Sequence, residues 1–196
     1  MQRMKPNELT EILQFLREAE QLKDTLRTAY TSSGRQESTA EHSWRLCLLV
    51  MLFADQYPDI DALKLIKMCI VHDLGEAING DVSALHLHEG TAEAVDERRD
   101  LKTLLTPLPE RLHDEILMLW DDYEQARSKE AGLAKAFDKL DTILQHIQGK
   151  NPDDFNYTFN LSYGKKYTDL DPLTADLRQL LDIETQRLTD AASPQN

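Results

Sequence analysis

The stretch "LIKMCIVHDLGEAINGDV", residues 65–82, decides how the chain reads. From Leu65 to Val71 every residue is apolar except Lys67, and the run extends back towards Asp61. It lacks the period-two alternation of a half-buried strand, so it predicts a buried helix over about 61–73. Gly75 and the Asn79-Gly80-Asp81 turn close it. The helix ends on the adjacent pair His72-Asp73. A charged aspartate at the end of so apolar a segment is rarely buried unless it is paired or bound to a metal. One stretch therefore predicts both a helix and a site at its end.

Outward from it, the helical period continues. A first helix is expected from Asn7 to about Tyr30, with Leu9, Ile12, Leu13, Leu16, Leu22 and Leu26 on its apolar stripe. "TSSGRQES" reads as a loop, and a second helix follows from near Thr39 to about Gln56, with Ser38 or Thr39 as its N-cap. Further helices are expected over about 92–105, 110–126, 129–148 and 173–188. The segment 149–169 is aromatic, and too rich in turn residues for a long helix. The seven glycines and seven prolines punctuate the chain, and no segment alternates with period two. These features predict an all-α fold: one compact multi-helix bundle over residues 1–196, without repeat or linker. Its motif-bearing core covers about 22–148, the aromatic loop and last helix 149–190, and a frayed tail 191–196.

The bulk numbers agree. A chain of 196 residues, 41% hydrophobic, buries a core without disulfides. Cys47 and Cys69 lie in apolar runs outside any CxxC pair, which reads as buried thiols in a reducing compartment. No stretch resembles a signal peptide or a membrane span, so the expected location is cytoplasmic, with no membrane partner. The net charge of −13 argues against duplex nucleic acid, whose binding rests on Lys and Arg. A small anionic substrate would need a local cation, which a metal ion supplies compactly.

An HD dipeptide alone is weak evidence of a metal site. Two other helices strengthen it. His42 stands on the first turn of "TAEHSWRLCLLV", and Asp138 interrupts the apolar stripe of "LAKAFDKLDTILQHIQ". Two histidines and two carboxylates leave coordination positions open, as metal-assisted hydrolysis requires. Glu76 follows Asp73 by three residues and His72 by four, near both on a continued turn, where a carboxylate can accept a proton. Alone it would read as a surface residue after a helix end, and Asp81 as an N-cap for the next segment.

The order His…His-Asp…Asp, carried by "RQESTAEHSWR" (35–45), "VHDLGEAINGDV" (71–82), "LWDDYEQA" (119–126) and "KAFDKLDTILQ" (135–145), resembles the HD-domain superfamily of metal-dependent phosphohydrolases. It is most similar to the branch of the 5′-deoxynucleotidases, which release phosphate from deoxynucleoside 5′-monophosphates. The resemblance implies that His42, His72, Asp73 and Asp138 bind one divalent metal, of the kind Mn, Co, Mg, Fe or Zn. It also implies that Glu76 and Asp81 are catalytic, and that Arg27 and Arg35 lie near a small phosphate ester, a nucleotide in that branch. The branch carries a tryptophan after the first of these arginines; this chain has Thr28, which puts the sugar preference in doubt. The family often forms homodimers, for which apolar positions on the terminal helices could serve. The competing reading is a non-catalytic HD-type protein that senses a metal or nucleotide, and Glu76 with Asp81 favours the enzyme.

Other residues have plainer readings. His86-Leu87-His88-Glu89 reads as a polar loop, "DERRD" at 96–100 as a solvated helix face, and His113 and His146 as helix-surface residues. Asp141, three after Asp138, reads equally as a support for the site or as an ordinary carboxylate. The aromatics of 155–167 are expected to pack a loop onto the core.

Overall fold

A computed structural model of the chain describes residues 4–81 and 92–192, and within these only the backbone of 92–96. The run His86–Glu89 and the tail beyond Ala192 lie outside the described residues. Helix α1 spans Pro6–Ala19. It buries Phe15, flanked by Ile12 and Ala19, whereas Leu9, Leu13 and Leu16 are about half exposed, contrary to the expected stripe.

The first helix also stops short of Tyr30. After a 3-10 turn over Glu20–Lys23, both the N–H and the hydroxyl of Thr25 donate to the Gln21 carbonyl. The chain then extends as β1 (Leu26–Tyr30), antiparallel to β2 (Gln36–Ser38). Thr28, Tyr30 and the neighbouring threonines favour extended backbone, and Gly34 turns the hairpin at φ 89°. The all-α class holds, with this short hairpin inserted.

Helix α2 (Thr39–Phe53) starts in a capping box: Glu41 N–H donates to Ser38 Oγ, and Ser38 N–H donates to the Glu41 carboxylate at 2.9 Å. Asp61 caps α3 (Ala62–Val71) by accepting from Lys64 N–H at 3.0 Å. The chain leaves α3 at His72, turns through Gly75, and makes one helical turn, α4 (Glu76–Asn79). Then come α5 (Ala92–Leu105), α6 (Glu110–Gln125) and α7 (Lys129–Gln148), the last capped by Ser128. The aromatic segment holds a 3-10 turn (Tyr157–Leu161) and the short α8 (Lys165–Thr168); α9 (Pro172–Ala192) outruns its expected bounds at both ends.

Two apolar clusters meet at the end of α3. Met68 and Cys69 pack with Leu46, Val50, Phe137 and Leu140 from α2 and α7. Val71 and Leu74 pack with Phe15, Leu101, Leu104 and Trp120 from α1, α5 and α6. His72 and Asp73 thus emerge at the seam between the clusters. Among the described residues no helix is long and apolar enough to cross a membrane. Cys47 and Cys69 are free thiols, and burial pushes Cys47 up to about 11.

Candidate metal centre

Three elements converge at this seam. His42 comes from the capped first turn of α2, His72 and Asp73 from the end of α3, and Asp138 from the middle of α7. His42 Nε2 lies 3.1 Å from Asp138 Oδ1 and 3.9 Å from Asp73 Oδ2. His72 Nε2 lies 3.0 Å from Asp73 Oδ2 and 3.9 Å from Asp138 Oδ1. Ligand atoms about 2.1 Å from one ion stand about 3–4 Å apart; His42, His72 and Asp73 offer atoms all within 4.8 Å of one another, and Asp138 Oδ1 stands at such distances from both histidines.

The far side of each ring fixes its tautomer. His72 Nδ1 donates to the Cys69 carbonyl at 3.0 Å, and Trp120 Nε1 donates to the His72 carbonyl at 2.9 Å. His42 Nδ1 donates to Asp141 Oδ2 at 2.9 Å. When the rings are neutral, each Nε2 therefore turns a lone pair towards carboxylate oxygens, and both atoms are buried without a well-aligned hydrogen bond. Lone pairs facing at 3.0–3.1 Å need a positive species between them, a proton or a cation. Two neutral imidazoles with two carboxylates carry charge −2, which a divalent ion cancels.

The electrostatics agree. Burial disfavours charge on His42, as does Arg27, yet Asp138 and Asp141 outweigh both and hold it up at about 9. Burial would raise Asp73, but His72, Arg27 and His42 hold it down to about 2. Asp138 is likewise held well below the carboxylate range against its burial, chiefly by Lys139 and the histidines.

Glu76 opens α4 beside the cluster, only 8% exposed, and its Oε2 accepts from the Thr39 hydroxyl at 2.8 Å. Burial, then Asp73 and Asp81, push it up to about 10. Asp81 is raised as well, chiefly by burial and partly by Asp73, while its hydrogen bond to Glu76 pulls it back. The two carboxyl groups interact, and their surroundings favour a proton on Glu76.

Arg27 reaches in from β1. Its Nη1 lies 3.3 Å from Asp73 Oδ2, its Nη2 donates to the Thr142 hydroxyl at 3.3 Å, and its Nε lies 3.7 Å from Glu37. Arg35 is not brought to the cluster. Its side chain is 59% exposed, and its partners are the Glu41 carboxylate, gripped by both prongs, and the Gln36 carbonyl.

Of the two readings left open for Asp141, the structure places it behind His42, and several further residues at the centre escaped the sequence reading. Asp141 is fully buried and supports the site, held in turn by Arg45 Nε at 2.7 Å. Arg45 follows His42 by three residues, the same spacing as Asp138 to Asp141, and that repeat was a usable signal. Glu37 is 4% exposed beside Arg27, and burial raises it. Tyr123 and Lys139 both donate to Asp138 Oδ2. Glu97, read as part of a solvated face, is raised to about 7 by burial and by Asp73, Glu124 and Asp81. From the same run Asp100 is buried, accepting from Asn79. His146 is no surface residue: it is 6% exposed, bonds Asn160 at 2.8 Å and meets the Phe155 ring edge-on. A cleft of about 670 Å³ between α5 and α6, lined by Arg98, Arg99, Lys102, Asp121 and Glu124 among others, includes none of the cluster residues.

Known proteins share the family and the fold. The HD domain family model matches residues 19–178. The chain is 33% identical over 136 residues to the 5′-deoxynucleotidase HDDC2 of Homo sapiens, covering 68% of this chain and 66% of the human protein. It is 34% identical over 146 residues to the 5′-deoxynucleotidase hdd1 of Schizosaccharomyces pombe, covering 70% and 71%. The chain thus spans just under two thirds of the human relative's length. A crystal structure described as a predicted metal-dependent phosphohydrolase, from Magnetospirillum magnetotacticum, superposes with a TM-score of 0.80 at 25% identity, covering 95% of this chain and 97% of that one.

Proposed function

The chain belongs to the HD domain family, and on that premise we propose that it is a metal-dependent phosphohydrolase that releases phosphate from nucleoside 5′-monophosphates, deoxynucleotides among them. The observation that carries this reading is the pair of buried, partnerless Nε2 atoms facing Asp73 and Asp138. In this reading His42, His72, Asp73 and Asp138 hold one divalent ion of the Mn, Co, Mg, Fe or Zn kind. When bound, such an ion acidifies water and offsets the charge of the phosphoryl oxygens.

The protein's own groups supply the rest. Arg27, charged and 12% exposed, offers planar donors to the phosphate. Its Nε has no hydrogen-bond partner. Water attacks phosphorus while the bond to the 5′ oxygen breaks. The Glu76–Asp81 pair takes the proton of the water and returns one to the leaving oxygen. A non-catalytic sensor has no use for such a pair. Arg35, occupied by Glu41, serves the phosphate only if that grip opens.

The similarity of the 5′-deoxynucleotidases supports the nucleotide class. Thr28 is exposed on β1, next to Arg27, where the branch carries tryptophan, and so gives a small polar wall beside the sugar. We therefore expect weak discrimination between ribose and deoxyribose. The two free cysteines suit a cytoplasmic enzyme.

The test is a phosphate-release screen over ribo- and deoxynucleoside monophosphates, with Mg, Mn and Co added in turn. Release should require metal and vanish, together with bound metal, in Asp73→Ala. Activity that survives stripping the metal, or its absence with every metal and nucleotide, rejects the reading.

A further inference from the structure

Residues 151–192 supply none of the candidate ligands, yet they reach the centre through one side chain. Asp138 divides its two oxygens. Oδ1 faces both histidines, 3.1 Å from His42 Nε2 and 3.9 Å from His72 Nε2. Oδ2 turns away and accepts from the Tyr123 hydroxyl at 2.8 Å and the Lys139 ammonium at 2.9 Å.

Tyr123 is fixed in the core, against the His72 ring and under Lys135. Lys139 is fixed from outside α7. Adjacent residues on a helix point about 100° apart, so its ammonium has to fold back to reach Asp138. The aromatic segment holds it there. The ammonium stands 5.1 Å from the centre of the Tyr163 ring. Its stem lies so close to Gly164 that a Cβ there would come within 2.5–2.6 Å of Lys139 Cγ and Cβ. Gly164 also has φ +71°, which favours glycine for its own reason. Arg178 of α9, 2% exposed, fastens the segment by donating to the Tyr163 and Asn160 carbonyls at 2.6 Å each.

We propose that Lys139 is a positioning residue: clasped by Tyr163 and Gly164, it keeps Asp138 Oδ2 engaged, so that Asp138 meets the ion through Oδ1 alone. The inference rests on the reading of His42, His72, Asp73 and Asp138 as ligands. A carboxylate that binds through both oxygens takes up a position that substrate or water needs, and open positions separate catalytic from structural centres. The aromatic segment thus acts on the chemistry through one lysine, from outside the ligand set.

The sign of the effect separates this role from a structural one. Removing Lys139 takes away the charged one of the two donors on Oδ2, leaving only the neutral Tyr123 hydroxyl, and deletes a positive charge near the ion, so Oδ2 can turn to the ion, which should bind as tightly as before or tighter. Full-length wild type, Lys139→Met and Lys139→Arg are stripped and loaded with Mn²⁺ alone. Affinity is measured by chelator competition, and water positions on the ion by water-proton relaxation. Lys139→Met is expected to keep or gain affinity and to lose one water position. Its phosphate release at saturating Mn²⁺ should fall about tenfold or more. Lys139→Arg should restore the water position and most of the rate. Unchanged relaxation in Lys139→Met, or weaker binding without a relaxation change, overturns the proposal. If Lys139→Met does not fold, Tyr163→Leu, which leaves α7 intact, decides by the same readings. Wild type that binds no Mn²⁺ would instead refute the metal reading itself.

Discussion

Asp141 Oδ2 accepts the Nδ1 proton of His42 at 2.9 Å, and this bond aims the opposite nitrogen at Asp138. A carboxylate behind an imidazole fixes its tautomer and raises its basicity as a ligand. Asp141→Ala removes that support and leaves Arg45 without its main partner. Metal affinity should fall about 10–100-fold, with His72 and Asp73 unchanged. Asp141→Asn keeps an acceptor for Nδ1 and should fall less. Chelator competition on the two variants measures this, and wild-type affinity in Asp141→Ala would contradict it.

The raised His42 makes metal uptake a proton exchange. Without metal His42 stays protonated up to about 9, because Asp138 and Asp141 outweigh its burial and Arg27. An ion can use Nε2 only after that proton leaves. Binding at pH 7 should therefore release about one proton, and affinity should drop as pH falls below about 9, by up to about tenfold per unit. Calorimetric titration in buffers of different ionisation enthalpy reads the proton count. A binding enthalpy that ignores the buffer would argue that Nε2 is already bare.

These supports also mark what the sequence could and could not reveal. Ser38, Asp61 and Ser128 are side-chain caps, local in their action, and the helices they start were legible. His42, His72, Asp73 and Asp138 interrupt apolar helical patterns with polar ligand types, and so stood out. The hairpin did not, because a five-residue strand is too short to show alternation against helical neighbours. Thr39, Lys139 and Glu97 reach the site only through tertiary contacts between elements far apart in the chain. Thr39 reads as a candidate cap and the other two as ordinary helix surface, and no spacing rule exposes their role at the site.

Gly75 is set by one such contact. A Cβ on it would stand 2.7 Å from the Glu97 carbonyl oxygen, a backbone atom of α5 that cannot swing aside. Gly75→Ala should push α5 away from the turn that carries His72 and Asp73. The expected loss is about 1–3 kcal/mol, or roughly 2–12 °C in Tm for a chain of this size. A melting curve that superposes on wild type would show that α5 yields without cost.

Glu76 links the site to stability. Burial, with Asp73 and Asp81, holds its carboxyl up at about 10, against 4.5 ordinarily. Between these values the folded metal-free protein keeps a proton that the unfolded chain releases, so stability falls as pH rises. The contribution is complete below about 4.5 and is lost progressively up to about 10. His42, raised from 6.5 to about 9, acts in the same direction. Glu76→Gln stays neutral at every pH and keeps an oxygen for the Thr39 hydroxyl. Metal-free Glu76→Gln should therefore outlast wild type at pH 8 and show a flatter decline from pH 6 to 9. Glu76 can supply at most about 1.4 kcal/mol of slope per pH unit. The same variant should lose phosphate release, because it can neither take up nor return a proton. Urea unfolding of both proteins across this range reads the slopes, and parallel curves would mean that Glu76 is ionised in the folded protein.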